Sequence, residues 1–310
     1  NQTNLFTLGT AQLGMNYGIA NFTGKPKQKE AISFIHKAIS EGITSLDTAR
    51  SYGDAESLIG EALSTIKSSP QNVEIVTKLS PLEEFSQNSS RTNILKAIKD
   101  SIQQSLDSLQ VDQLHTLLLH RWEHRYIYDG LIWNRLLELR KQGYLKFLGA
   151  SVYSPHEAVE ALKDKNIQHI QIPFNILDWR WKAAGFPQLA LSRKDVTIHA
   201  RSPLLQGLLL GHQELWKKVG INDVERWIGK LDFLEKELQR ESKIDLCFSY
   251  VRSQSWISSV VIGIDCVNQL KENIKLFQKP LLSAQECEIV EKTLKGASEQ
   301  LLNPSKWKHY

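Results

Sequence analysis

Apolar and polar positions change rhythm repeatedly along this chain. Short apolar runs fall at Leu5–Gly9, Ile43–Asp47, Val73–Lys78, Leu114–His120, Leu145–Ala150, His169–Pro173, Val196–Ala200 and Ser259–Gly263. Most are continuous rather than alternating, the pattern of strands covered on both faces. Between them apolar residues recur at helical spacing, as Ile32, Ile35, Ala38 and Ile39 do within Lys29–Glu41. Ile94, Ile98, Ile102, Leu106 and Leu109 do the same within Arg91–Leu109. A helix over Gly130–Gln142 ends in Arg140, Lys141 and Gly143, a stop signature. Another over Pro155–Leu162 follows Ser154, an N-cap with proline in the first turn. Further helices are predicted over Val224–Gln239, Lys243–Ser253, Val267–Phe277 and Ala284–Leu294.

Eight strand–helix units in alternation read as a parallel sheet. In a chain of 310 residues they favour a closed (β/α)8 TIM barrel over an open doubly wound sheet. Nothing reads as a linker, so one domain is expected over residues 1–310, with 284–310 an additional C-terminal helix and tail packed on the barrel. The longest insertion runs from Leu204 to about Val224, after the seventh strand, where loops of that size in a barrel commonly build the site.

Composition removes several function classes. A chain that is 41% hydrophobic and 23% charged is ordinary globular protein, not low-complexity or disordered sequence. Its 38 Lys and Arg against 34 Asp and Glu are interspersed and leave a net charge of +4. With no basic stripe, nucleic acid is not an expected partner. No apolar run reaches the roughly 18 residues a membrane span needs. Cys247, Cys266 and Cys287 form no Cys-x-x-Cys pair, which points to a reducing, cytoplasmic compartment and to no metal. The first residue is Asn, so a trimmed N-terminus is expected, and no signal-peptide pattern is visible. Gly-x-Gly-x-x-Gly is absent. The run Gly9-Thr10-Ala11-Gln12-Leu13-Gly14 continues as Met15-Asn16 where a P-loop needs Lys-Ser/Thr, so these glycines read as a turn at the mouth of the first strand.

In a (β/α)8 barrel the C-terminal strand ends open into one mouth. Strand two runs into Asp47-Thr48-Ala49-Arg50-Ser51-Tyr52-Gly53, strand three ends in Thr77-Lys78, and strand four in Leu118-Leu119-His120. Singly, each residue has an ordinary reading: Asp47 a cap, Tyr52 a packed loop aromatic, Lys78 a solvated strand end, His120 a core histidine. Together they suit carbonyl reduction, which needs a hydride donor and a proton for the developing alkoxide. A phenol with a reference pKa of about 10 supplies that proton more readily beside an ammonium. Lys78, held by Asp47, is the candidate ammonium, and His120 is the candidate that orients the carbonyl.

On these motifs the chain resembles the aldo-keto reductases over about its first 280 residues, a family of (β/α)8 barrels. The resemblance implies a nicotinamide cofactor bound without a Rossmann fold and the tetrad Asp47, Tyr52, Lys78 and His120. It also implies cofactor contacts from Gly9, Thr10 and Asp47, from Ser151 in Gly149-Ala150-Ser151-Val152, and from Gln171; Val152 stands where the family has Asn. Arg201 takes the place of an aromatic that stacks on the nicotinamide, and Ser202, Leu204 and Gly207 follow it. A guanidinium plane can replace that ring, the alternative being a salt-bridged barrel arginine. Near strand eight the Lys, Ser and Arg that hold the 2′-phosphate of NADP are replaced by Gly263, Ile264 and Gln269, and Asp265 adds a negative charge. Glu272 and Asn273, which resemble adenine contacts, remain, and Lys271 is another route to NADP. NADP, the family default, and NAD therefore stand close.

The expected partner is a small-molecule carbonyl substrate, sugar-like aldehydes and ketones included. Met15, Asn16, Tyr17, Trp122, Trp179 and Trp181 are candidate walls, with Tyr17, Trp122 and Trp179 foremost. Arg121, Arg125, Arg180 and Lys182 hint at an anionic substrate. Two other readings stay open: a cofactor-binding regulatory subunit with little turnover, and an aldolase forming a Schiff base on Lys78, in which the Asp-Thr-Ala-x-x-Tyr-Gly motif has no role.

Overall fold

The apolar runs become parallel strands in the computed structural model, which describes residues 6–16, 24–66, 73–86, 89–210, 213–221, 223–264 and 266–307. The strands are β1 (Phe6–Gly9), β2 (Ser45–Asp47), β3 (Glu74–Lys78), β4 (Leu114–Leu119), β5 (Leu145–Ser151), β6 (His169–Pro173), β7 (Thr197–Arg201) and β8 (Ser259–Gly263). Each pairs in parallel with the next, and β8 returns to β1 with Gly9 beside Gly263, so the barrel is closed. Its edges differ from the expected ones by a residue or two, as frayed ends do.

Helices follow local chemistry where the sequence supplied it. Ser154 and Glu157 form a reciprocal capping box on Pro155–Lys163, and Ser283 with Glu286 does so on Ala284–Leu294. Gly143, at φ 91°, follows the helix Leu131–Lys141 in the left-handed conformation expected of a stop. Several connections carry helices that the periodicity did not assign, among them Ala55–Thr65 and Phe186–Ser192. Ala55–Thr65 follows β2 and contains Gly60, a poor helix former. That glycine lies against the Ser108 carbonyl, which a Cβ would overlap, so close packing on Arg91–Leu109 overrides propensity. Phe186–Ser192, after β6, has only seven residues, too few for a clear period.

Residues two apart on a strand share a side, so each inward strand end stands above an inward neighbour. The lower level is unusually polar for a barrel filled by side chains. Thr7 Oγ1 hydrogen-bonds Ser45 Oγ at 3.0 Å and Ser259 Oγ at 2.7 Å. His169 and His199 meet edge to face with ring centroids 4.2 Å apart, both buried. Outside, the sheet is covered by one continuous apolar cluster that includes Trp133, Trp181 and Trp216. The terminal segments join it through Val290, Leu294, Leu301 and Trp307.

Candidate active site

Asp47 and Lys78 are the last residues of β2 and β3, and both are almost wholly buried. Lys78 Nζ donates to Asp47 Oδ1 at 2.8 Å, to Oδ2 at 2.9 Å and to the Thr48 carbonyl at 2.9 Å. Three acceptors thus meet a three-proton ammonium. Gln171, from β6 across the mouth, donates its amide to Asp47 Oδ1 at 2.6 Å. The Thr10 hydroxyl and backbone N–H both reach the Asp47 carbonyl at 2.9 Å. A buried ion pair is tolerated only when its remaining hydrogen-bonding capacity is met; here the Thr48 carbonyl completes the ammonium and the Gln171 amide adds to the carboxylate, while Thr10 satisfies the main chain of Asp47.

Tyr52 sits in the loop after β2, with Lys78 Nζ 5.0 Å from its ring centroid. The His120 ring stands edge-on to it, 6.2 Å away at 87°. Two glycines set this loop. A Cβ on Gly14 would overlap the Tyr52 carbonyl oxygen, and one on Gly53, at φ 58°, would overlap the Gly14 carbonyl. The main chains after β1 and β2 therefore touch directly. Burial, then the Asp47 carboxylate, pushes the phenol well above its ordinary pKa, while Arg201 opposes the rise. The Lys78 ammonium, expected to lower this pKa, is itself paired with Asp47. His120 is pushed down to about 3 by burial, then by Lys78, Arg201, Arg121 and His124, so its imidazole is neutral. Its buried Nδ1 has no hydrogen-bond partner among the described residues.

Of the expected cofactor residues, Gly9 lies between Asp47 and Gly263 in register at the β1–β8 rim. Ser151 is buried beside Gln171, and Val152, also buried, donates its N–H to the Gln171 carbonyl. Arg201 ends β7 with its guanidinium 4.7 Å from the Tyr153 ring centroid. Ser202, Leu205 and Gln206 all have positive φ (60°, 47° and 55°) ahead of Gly207 at 89°. Each such non-glycine residue holds roughly 1–2 kcal/mol of strain, and clustered strain is a mark of functional loops. Leu204 sits inside this turn, its carbonyl accepting from Gly207 and Leu209. At the end of β8 the side-chain space of Gly263 is taken by the Gln12 carboxamide. Gln269 and Glu272 are exposed on Val267–Phe277 and Asn273 is half-buried. Lys271 lies near enough to Glu41 to help lower its carboxyl, behind the Lys37 side chain that dominates there.

The expected walls separate. Tyr17 lies outside the described residues. Trp122 is buried, edge-on to Tyr126 with centroids 5.5 Å apart. Trp179 is 46% exposed and donates its indole N–H to the Ala297 carbonyl at 2.9 Å, tying the tail to the β6 loop. Trp181 is core, bonded to Asp178 and packed on Phe186. The four cations offered as an anion site are all matched: Arg121 by Glu83, Arg125 by Asp164 at 2.9 Å, Arg180 by Asp178 at 2.7 Å, and Lys182 by Glu291. Tyr153 and Gln12 escaped the sequence reading, although Tyr153 directly follows the Ser151-Val152 motif and an aromatic at a strand end was the available signal.

The model of the aldo/keto reductase family matches residues 6–295. The uncharacterized oxidoreductase YqkF of Bacillus subtilis (strain 168) is 26% identical over 290 residues, 90% of this chain and 92% of that protein. The L-glyceraldehyde 3-phosphate reductase of Escherichia coli (strain K12) is 23% identical over 305 residues, 90% and 87% of the two chains. Among solved structures, aldo-keto reductase AKR11C1 from Bacillus halodurans, in its holo form, superposes with a TM-score of 0.74 at 24% identity, covering 96% of this chain and 95% of that one. That likeness shows the fold. The sequence match runs from β1 through the helix Ala284–Leu294 and encloses every strand end described above, so the chain belongs to the aldo/keto reductase family.

Proposed function

We propose that this protein is an NAD(P)H-dependent oxidoreductase that reduces an aldehyde or ketone, sugar-like carbonyls included, to an alcohol. The observation that carries the reading is the buried Lys78–Asp47 pair beneath a phenol whose pKa is raised, edge-on to a neutral imidazole. Tyr52 is protonated throughout the neutral range and is the proton donor to the carbonyl oxygen. His120, whose imidazole is neutral and edge-on to the phenol, is the hydrogen-bonding group that orients that oxygen. Lys78 and Asp47 hold each other and the floor beneath the phenol. In the reverse direction Tyr52 Oη takes the proton back.

The residues fit a nicotinamide dinucleotide. Ser151 stands beside Gln171, Gly9 and Gly263 lie side by side at the rim with the Gln12 carboxamide against Gly263, and the loop Ser202–Gly207 is strained. Once bound in reduced form, the cofactor supplies the hydride. Ser151, Gln171, Ser202, Leu204, Gly207, Glu272 and Asn273 are the residues proposed to hold it, with Gly9 and Thr10 at its edge. At the positions the resemblance gives for a 2′-phosphate, Gly263 and Gln269 bring no cation, and Lys271 is exposed on the helix that follows. NAD and NADP are both served, without a strong preference for NADP. A cytoplasmic location and a pocket bounded by Tyr17, Trp122 and Trp179 belong to the same proposal. Parallel fluorescence titrations with NADH and NADPH, then a carbonyl panel with the preferred one, test it. Absence of any cofactor signal at millimolar concentration refutes it. Tight cofactor binding with no carbonyl reduced points instead to a binding subunit.

A further inference from the structure

We propose that Arg50 and Glu56 are positioning residues for the proton donor: joined to each other and to Thr77, they close the loop that carries Tyr52 and hold the phenol against Lys78. The inference rests on the reductase reading and deepens it. Tyr52 lies between the two in sequence, and the segment 50–56 is fastened to β3 at both ends. At the first end the Arg50 N–H donates to the Lys78 carbonyl at 3.1 Å. At the second, Glu56, in the first turn of the helix Ala55–Thr65, accepts from the Thr77 hydroxyl on Oε1 at 2.6 Å. Its other oxygen, Oε2, takes the Arg50 guanidinium, so the two ends are also joined to each other. Arg50 Nη1 reaches the Ser108 hydroxyl at 3.3 Å as well, on the helix against which Gly60 packs.

Successive residues of a strand face opposite sides, so Thr77 points away from the mouth that Lys78 enters. The network therefore stands behind the strand, on the helix side, one residue from the ammonium. The Glu56 side chain is 1% exposed and that of Arg50 19%. A carboxylate taken out of water is costly, and for cohesion alone apolar side chains serve as well. What the guanidinium fork and the carboxylate add is direction, because each bond fixes an angle as well as a distance. The turn between them is tight: the Tyr52 N–H donates to the Ala49 carbonyl at 3.0 Å, and the Ala55 N–H to the Tyr52 carbonyl at 3.1 Å. A shift at either end of so short a loop is passed to the ring at its centre, whose centroid lies 5.0 Å from Lys78 Nζ. Gly14 and Gly53 fix how near this turn comes to the chain after β1, and Arg50 and Glu56 fix where it stands against β3.

Arg50→Met combined with Glu56→Leu removes both charges and nearly keeps the volume. A misplacement of about 1 Å costs about 10²-fold in rate, so kcat should fall about tenfold to a hundredfold while KM and the NADH and NADPH affinities stay within about threefold of wild type. Arg50→Lys and Glu56→Gln, which each keep part of the network, should keep part of the rate, and they carry the test if the double variant does not fold. Placed in a Tyr52→Phe chain, the same changes should lower the residual kcat no further, because the residue they position has gone. An equal further fall, or a loss confined to KM or cofactor affinity, overturns the proposal. A second readout needs no turnover. In protein labelled with carbon-13 at the tyrosine ζ carbon, the Tyr52 NMR line is the one missing from Tyr52→Phe. In the Arg50 and Glu56 variants that line should move, and it should begin to titrate toward the ordinary phenol pKa of about 10 as the loop loosens and admits water. The lines of Tyr144 and Tyr250, outside the network, should stay in place. A Tyr52 line that neither moves nor titrates differently overturns the proposal, and so does movement of all the tyrosine lines alike, which reports general loosening. Movement of the Tyr52 line alone in a protein that reduces no carbonyl keeps the positioning role and removes the reductase reading.

Discussion

Acidification should unfold this barrel from within. His169, His199 and His120 are buried and neutral, facing Lys78, Asp47, Arg201 and each other's neighbourhood at the heart of the sheet. Burial first, with Asp47 opposing and Lys78 assisting, takes His199 down to about 4; His120 reaches about 3; His169 is carried well below the ordinary range. An unfolded chain accepts a proton on each imidazole near pH 6.5, and the folded barrel does not until far lower. The stability these groups contribute is whole above about pH 6.5 and is lost as pH falls toward their folded values. Between pH 7.5 and 5.5 the loss is a little over 1 kcal/mol for each, about 4 kcal/mol for three, a large part of the roughly 5–15 kcal/mol of a typical domain. Urea unfolding followed by tryptophan fluorescence at both pH values measures it, with m-values checked for constancy. His199→Gln should reduce the pH slope by one proton. An unchanged midpoint at pH 5.5, or imidazole NMR signals for these residues titrating above pH 6, would refute the reasoning.

Other outcomes follow from the same geometry. Tyr52→Phe should lower turnover by about 10²–10⁴, the range of general acid catalysis, while NAD(P)H titrations stay close to wild type; comparable turnover removes the acid assignment. Lys78→Met should cost about 3–5 kcal/mol in equilibrium unfolding, because it leaves the Asp47 carboxylate buried without its cation, and Asp47→Asn in the same chain should recover part of that loss. Gly263→Lys with Gln269→Arg should raise NADPH affinity most when Gln12→Ala is added, since the Gln12 carboxamide fills the space the new side chain needs; no gain even with Gln12→Ala would place the 2′-phosphate elsewhere.

The barrel was legible because doubly buried strands write continuous apolar runs, and its mouth because Asp47, Lys78 and His120 interrupt such runs at the same end. Helices governed by tertiary contact were not legible: Ala55–Thr65 is set by how closely Gly60 approaches its neighbour. The charge balance of the mouth was hidden for a related reason. Arg125 meets its carboxylate 39 residues away and Lys182 meets its own 109 residues away, distances that no local pattern encodes. Burial, the largest influence on the Tyr52 phenol, is likewise set by the whole fold rather than by the motif that carries the residue.

The contact between Gly14 and the Tyr52–Gly53 turn has a consequence for how such a site can diversify. Tyr52 is anchored by two stretches of main chain that meet where neither has a Cβ. Residues of the rim such as Trp179, Tyr153 and Tyr126 can therefore be exchanged to admit a different molecule, while the point from which the proton departs stays where the backbone puts it.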